Sequence, residues 1–166
     1  MNKTMKKTVT RQEVLVEETW DLRDLFETEE AWNQELKAIK RDIQTVAKFK
    51  GRLVENGRTL LDCLKARDAL SEPLIQAATY ASLRQSADGS NSAHQANAAR
   101  AASLISDFRA NLSFIDSEIL ALPDQTIQNF IKEEEGLKHY AKTLADLQEL
   151  KPHRLSPETE EVFSSL

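Results

Sequence analysis

The chain has 166 residues, 30% of them charged and 40% hydrophobic, with a net charge of -5. That length suits one domain with a real core, and the composition is that of a globular chain rather than a disordered one. The acidic balance supplies no overall basic face for phosphate, no apolar run is long enough to span a membrane, and the lone cysteine, Cys63, cannot form an internal disulfide.

Residues 1–10 carry lysines but no apolar run follows them, so they are not expected to be a signal peptide. Together with the single thiol, this points to the cytoplasm. Residues 1–27, with Val14, Val16 and Trp20 among charges, are expected to form an extended arm. Thr28 before Glu29 and Glu30 has the features of a helix start, with a hydroxyl cap and acids near the positive end of the dipole. Trp32, Leu36, Ile39, Ile43 and Val46 then recur in steps of four and three, one stripe on a helix ending near Gly51.

A second run after Gly57 carries Leu60, Leu61, Leu64, Leu70, Leu74, Ala78 and Ala81, and Pro73 interrupts it. Proline removes a helical hydrogen bond but suits a first turn, so two helices or one sharply kinked helix are expected. Residues 86–91, Ser-Ala-Asp-Gly-Ser-Asn, make the clearest loop. The third run is alanine-rich at first, and its stripe is read as Ala98, Ala101 or Ala102, Ile105, Phe108, Leu112 and Ile115. Pro123 and Asp124 open a short helix holding Ile127, Phe130 and Ile131, which Gly136 is expected to end. Leu137, Tyr140, Leu144 and Leu147 form the next stripe, closed by Pro152. Ser156, Pro157 and Glu158 are a strong helix start, and the apolar face begun by Val162, Phe163 and Leu166 stops with the chain. Residues 156–166 are therefore expected to be the start of a truncated helix. Nothing has the alternation of a strand. The fold class is all-α: an up-down bundle of long antiparallel helices, with shorter C-terminal helices, over residues 28–155.

The residues offer no catalytic constellation. His94, His139 and His153 do not fall in H-E-x-x-H or at the i, i+4 spacing that brings two rings to one metal. His94, near the start of the alanine-rich helix, has the bland reading of a solvated polar residue rather than a phosphoryl acceptor. Cys63 lies between leucines and is expected in the core, not as a nucleophile. Glu133, Glu134 and Glu135 are expected to be a solvated helix end, and Trp20, Trp32, Phe108 and Phe114 to be core.

Four stretches, in order, carry a resemblance: Glu18-Thr19-Trp20-Asp21-Leu22 with Asp24-Leu25-Phe26 and Trp32; Tyr80-Ala81-Ser82-Leu83-Arg84 before Asp88; Leu112-Ser113-Phe114-Ile115 leading into Glu118-Ile119-Leu120; and Lys151-Pro152-His153-Arg154-Leu155-Ser156. The ordered set resembles the N-terminal lobe of oligoendopeptidase F and related thimet-type zinc peptidases. Two departures are Ser117, where that pattern has proline, and Lys151, where it has arginine.

The resemblance implies a helical, non-catalytic lobe that narrows a substrate channel for short peptides. It implies zinc, held by two histidines and a glutamate, in a C-terminal catalytic lobe of the same polypeptide. No cofactor, catalytic residue or metal ligand is expected in this chain, which alone is expected to be inactive. Its partners are that catalytic lobe and an oligopeptide substrate, with no nucleic acid and no membrane. Tyr80 and Arg84 are the candidate channel-facing residues, an aromatic and a guanidinium suited to peptide carbonyls and a C-terminal carboxylate. The bland reading puts Tyr80 in the core and pairs Arg84 with Asp88. The alternative function is a free-standing helical-bundle interaction module, since apolar stripes also dock partner helices.

Overall fold

The computed structural model describes residues 14–15 and 19–151. The proposed helix start at Ser156 and the closing Pro152 lie outside them. The described residues are helical throughout their regular parts, with no strand among them, so the chain is all-α. A 3-10 turn, Leu22–Asp24, precedes α1 (Glu29–Ala47), α2 (Gly57–Ala87), α3 (Ser92–Ala121) and α4 (Asp124–Glu133). A second 3-10 segment, Glu135–Tyr140, leads into α5 (Ala141–Glu149). The chain divides into two compact units, one of Met1–Asp42 and Leu70–Phe108, the other of Ile43–Ala69 and Arg109–Leu166.

Local chemistry sets the helix ends. Thr28 Oγ1 accepts the Ala31 N–H at 3.1 Å, as its place before two acids predicts. Asn56 caps α2 by accepting from Thr59 N at 2.8 Å. Asn91 does the same for α3, accepting from Ala93 N at 3.0 Å and His94 N at 3.3 Å. Gly51, just past α1, takes φ +80°, a left-handed turn that side chains with a Cβ resist.

In the first unit, the early part of α1 runs antiparallel to the late part of α2. Glu29 meets Arg84, and Trp32 Nε1 donates to the Ala77 carbonyl at 2.9 Å, so numbers rise on one helix as they fall on the other. The start of α3 runs parallel to α1: Asn97 meets Glu29, and the Arg100 guanidinium lies 5.0 Å above the Trp32 ring. This is the expected up-down order. Trp32, Leu36, Ile39, Leu70, Leu74, Ala77, Ala81, Ala101 and Leu104 are the buried apolar side chains of these helices. The alanines let helix backbones approach closely, and each large side chain removed from water contributes about 1.5–3 kcal/mol.

One open alternative is decided here and two expectations are corrected. The second run is one helix, not two, continuous through Pro73. Leu60, Leu64, Leu70, Leu74, Ala77 and Ala81 are all buried, and they keep helical register across the proline. Burial of that face offsets a proline penalty of about 3 kcal/mol. The buried face of α3 is Asn97, Ala101, Leu104, Leu112, Ile115 and Ile119. Ala98, Ile105 and Phe108 are half-buried and Ala102 is exposed. The rotated face takes in Asn97, a polar residue absent from the apolar stripe, whose amide meets the half-buried Glu29 carboxylate at 2.9 Å. Trp20 is not core, being 89% exposed, whereas Trp32 and Phe114 are buried as expected.

In the second unit, Ile43, Val46, Leu53, Leu60, Leu61, Cys63, Leu64, Phe114, Ile115, Ile119, Ile127, Phe130, Leu137 and Leu144 are buried. Gly136 does not end α4; it lies inside the following 3-10 segment. A Cβ there would stand 2.5 Å from Leu61 Cδ2, so its lack of a side chain admits Leu61. Lys151 donates to the Leu122 carbonyl and to Asp124 Oδ1 at 2.7 Å, fastening the chain beyond α5 to the α3–α4 junction.

Candidate functional site

The candidate site is a cleft of about 600 Å³ in the first unit, lined by Trp20, Leu22, Phe26, Tyr80, Leu83, Arg84 and His94 among others. The chain before α1 forms one wall, the last turns of α2 form another, and the start of α3 closes the end. Both sequence candidates, Tyr80 and Arg84, line it. They sit four residues apart on α2, so they share one face. The Tyr80 ring is buried, edge-on to Phe26 at 5.3 Å and tilted against Trp32 at 6.1 Å.

Arg84 is the centre of a polar network. Its Nη1 donates to Glu29 Oε2 at 2.8 Å and to the Tyr80 hydroxyl at 3.1 Å. Its Nη2 lies 3.1 Å from His94 Nε2. A guanidinium has only donors, so His94 Nε2 accepts, and the proton of the neutral ring sits on Nδ1. That Nδ1 is buried without a hydrogen-bond partner among the described residues. Asn97 Nδ2 donates to the other Glu29 oxygen, Oε1, at 2.9 Å. Asn97 Oδ1 accepts from Arg100 at 3.1 Å.

These contacts set the electrostatics. The Asn97 amide, foremost, and then Arg84 hold the Glu29 carboxyl below its ordinary range. The Ser90 hydroxyl lowers Asp88 in the same way, bonding Asp88 Oδ1 at 2.7 Å. Arg84 pairs with Glu29 rather than with Asp88, which spends its carboxylate on the start of its own loop. Arg84 and Asp88 have the i, i+4 spacing of a helical pair, but the Glu29 carboxylate on another helix takes the guanidinium at 2.8 Å in a partly desolvated position.

Sequence reasoning missed Glu29 and Asn97. Glu29 lies 55 residues from Arg84 and looks like any first-turn acid. Asn97 had a usable signal, a polar residue at the 97, 101, 104 spacing of an otherwise apolar face. His94 enters the network as a hydrogen-bond acceptor and is half-buried, not a solvated residue. The remaining candidates stand apart from the cleft. Cys63 is fully buried, and burial pushes its thiol up to about 11. His139 is exposed, its ring edge-on to Tyr140. Among the described residues no group of three His, Cys, Asp or Glu is placed to hold a metal ion; the residues present do not make a zinc site. No described helix is long and apolar enough to cross a membrane.

A family model described as Oligopeptidase F matches residues 118–166. The chain is 34% identical over 154 residues to Oligopeptidase PepF of Bacillus subtilis, an alignment covering 93% of this chain and 23% of that protein. Over nearly all of its own length, the chain is similar to part of the oligoendopeptidase F family. Group B oligopeptidase PepB of Streptococcus agalactiae is 30% identical over 145 residues, 87% of this chain and 24% of that one. The crystal structure of oligoendopeptidase-F from Enterococcus faecium superposes with a TM-score of 0.69 at 26% identity, over 81% of this chain and 27% of that chain. A putative peptidase from Chlamydophila abortus matches with a TM-score of 0.80 over 93% of this chain and 26% of its own; at 21% identity it shares the fold. The chain thus spans about a quarter of the length of the family members it matches.

Proposed function

We propose that this chain is the non-catalytic N-terminal lobe of a zinc-dependent oligoendopeptidase that cleaves short peptides, and that it shapes the channel through which they reach the zinc. The observation that carries this reading is the cleft. It places Tyr80 and Arg84 on one wall, in a chain similar to a quarter of proteins named as oligopeptidases. Tyr80 brings an aromatic edge to that wall, and Arg84 holds the Tyr80 hydroxyl in place at 3.1 Å. The zinc and its ligands belong to the remainder of the polypeptide, and the chemistry supplied there is polarisation of water for amide hydrolysis. In this division residues 1–27 are an arm, residues 28–155 the lobe, and residues 156–166 lead towards the catalytic part. A cytoplasmic location accompanies the reading, since the lone thiol Cys63 asks for no oxidising compartment.

The test is complementation. The remainder of the polypeptide, expressed separately, is assayed on a short quenched peptide with and without this chain. Addition of the chain is expected to raise the rate, and Tyr80→Ala is expected to raise KM about tenfold with kcat less affected, as loss of substrate positioning requires. A rate that ignores the chain overturns the proposal in favour of an interaction module.

A further inference from the structure

The charge arithmetic of the cleft points away from a peptide terminus. Arg84 is neutralised by Glu29 at 2.8 Å, and Arg23 by Asp21 at 2.6 Å. Glu27 and Asp88 also line the cleft. Four carboxylates therefore stand around two guanidiniums, and an incoming carboxylate would meet net negative charge. A guanidinium already holding a carboxylate, a phenol and an imidazole is a fixture of the wall. What remains unspent is apolar surface: Trp20 is 89% exposed and Leu83 39% exposed, with Leu22 and Phe26 half-buried beside them. Together these side chains make one apolar patch at the cleft, the kind of surface that receives an apolar group.

We infer that this cleft is a specificity pocket for an uncharged apolar or aromatic side chain from the interior of a peptide, and that it discriminates against acidic residues and free C-terminal carboxylates. This rests on the reading of the cleft as part of a peptide channel. Trp20 and Leu83 grip the side chain across the mouth, with Tyr80 and Phe26 forming the floor. The carboxylates of Glu27 and Asp88 repel anionic ends. Arg84 is a positioning residue that fixes Tyr80 through its hydroxyl rather than a clamp on the substrate.

The 166-residue chain carries its own reporter, because Trp20 is exposed and Trp32 is buried. Its tryptophan emission is titrated with three peptides: acetyl-Ala-Phe-Ala amide, the same peptide with a free C-terminal carboxylate, and acetyl-Ala-Asp-Ala amide. The expected result is a saturable blue shift with the phenylalanyl amide, binding about threefold or more weaker for its free acid, and about tenfold or more weaker for the aspartyl amide. Leu83→Ser, at a partly exposed position that leaves the helical circular dichroism unchanged, is expected to weaken the amide about tenfold, and Glu27→Gln to narrow the gap between amide and acid. Equal or tighter binding of the free acid overturns the inference and leaves the channel reading standing. No shift with any of the three peptides at millimolar concentration overturns both.

Discussion

Glu118, near the end of α3, holds Gly51, at the turn after α1: one carboxylate oxygen accepts the Gly51 N–H at 2.5 Å and the other accepts the Leu53 N–H at 3.2 Å. Two backbone donors of a loop with no regular structure are thereby satisfied by one side chain 67 and 65 residues away. Charge-assisted bonds of this kind are worth about 1.5–3 kcal/mol, and a donor left without a partner adds its desolvation cost. Glu118→Ala is expected to lower the unfolding free energy by about 2–3 kcal/mol, and Glu118→Gln, which keeps one acceptor oxygen, by about half of that. The urea midpoint of each variant checks it. A midpoint for Glu118→Ala equal to that of the parent would show that water replaces the carboxylate at no cost.

Gly136 gives a steric test. A methyl group there would meet Leu61 Cδ2 at 2.5 Å, whereas at Gly89 the nearest atom is 3.7 Å away. Gly136→Ala is expected to destabilise by about 1–3 kcal/mol through overpacking, and Gly89→Ala to be nearly neutral. Combining Gly136→Ala with Leu61→Val should recover part of the loss, since the two changes share one space. Thermal melts of the parent, the three single variants (Gly136→Ala, Leu61→Val and Gly89→Ala) and the double mutant, with the double mutant compared against the sum of its parts, decide it.

Two titrations bound the stability from either side of neutrality. The Glu29 carboxyl is held below its usual 4.5 by Asn97 and then Arg84. A depressed folded-state value stabilises above the ordinary carboxylate range and loses that contribution as pH falls through the folded value. Glu29→Gln should therefore flatten the acid limb below about pH 4.5.

The Tyr140 phenol is pushed up to about 12 from 10.0, by burial first and then by its hydrogen bond to Asp68 at 2.7 Å. A raised folded-state value stabilises fully below pH 10 and loses that contribution as pH rises towards 12. Tyr140→Phe should flatten the alkaline limb in that window and leave the acid limb alone. Urea midpoints measured across pH in each variant read both effects.

Cys63 reports on opening of the second unit. It is fully buried, and burial raises its thiol to about 11, so little nucleophilic thiolate faces solvent at neutral pH. Alkylation by iodoacetamide in native buffer is expected to be slower than in 6 M urea by orders of magnitude, with a rate set by the opening equilibrium. Fast native labelling would contradict the packing of Leu60, Leu61 and Leu64 around it.

Taken by themselves, the residues determined what depends on neighbours a few positions apart. The α1 stripe from Trp32 to Val46, the cap at Thr28, the loop at Asp88 and Gly89, and the all-α class follow from the 3.6-residue period and from hydroxyl and glycine chemistry, which act locally. Tyr80 and Arg84 were legible as a pair because four residues is one helical turn. Tertiary structure decided whatever depends on a partner far along the chain. Pro73 stays inside α2 because the apolar face on both sides is buried against other helices, which outweighs a local hydrogen-bond defect. The buried face of α3 takes in Asn97, whose amide meets Glu29. Arg84 leaves the neighbouring Asp88 for Glu29, and Gly136 is needed for Leu61 rather than for a helix end. In each case a local preference, worth from about 0.2–0.5 kcal/mol for an i, i+4 pair to about 3 kcal/mol for a proline, gave way to a long-range contact, and no window of sequence contains the second of those terms.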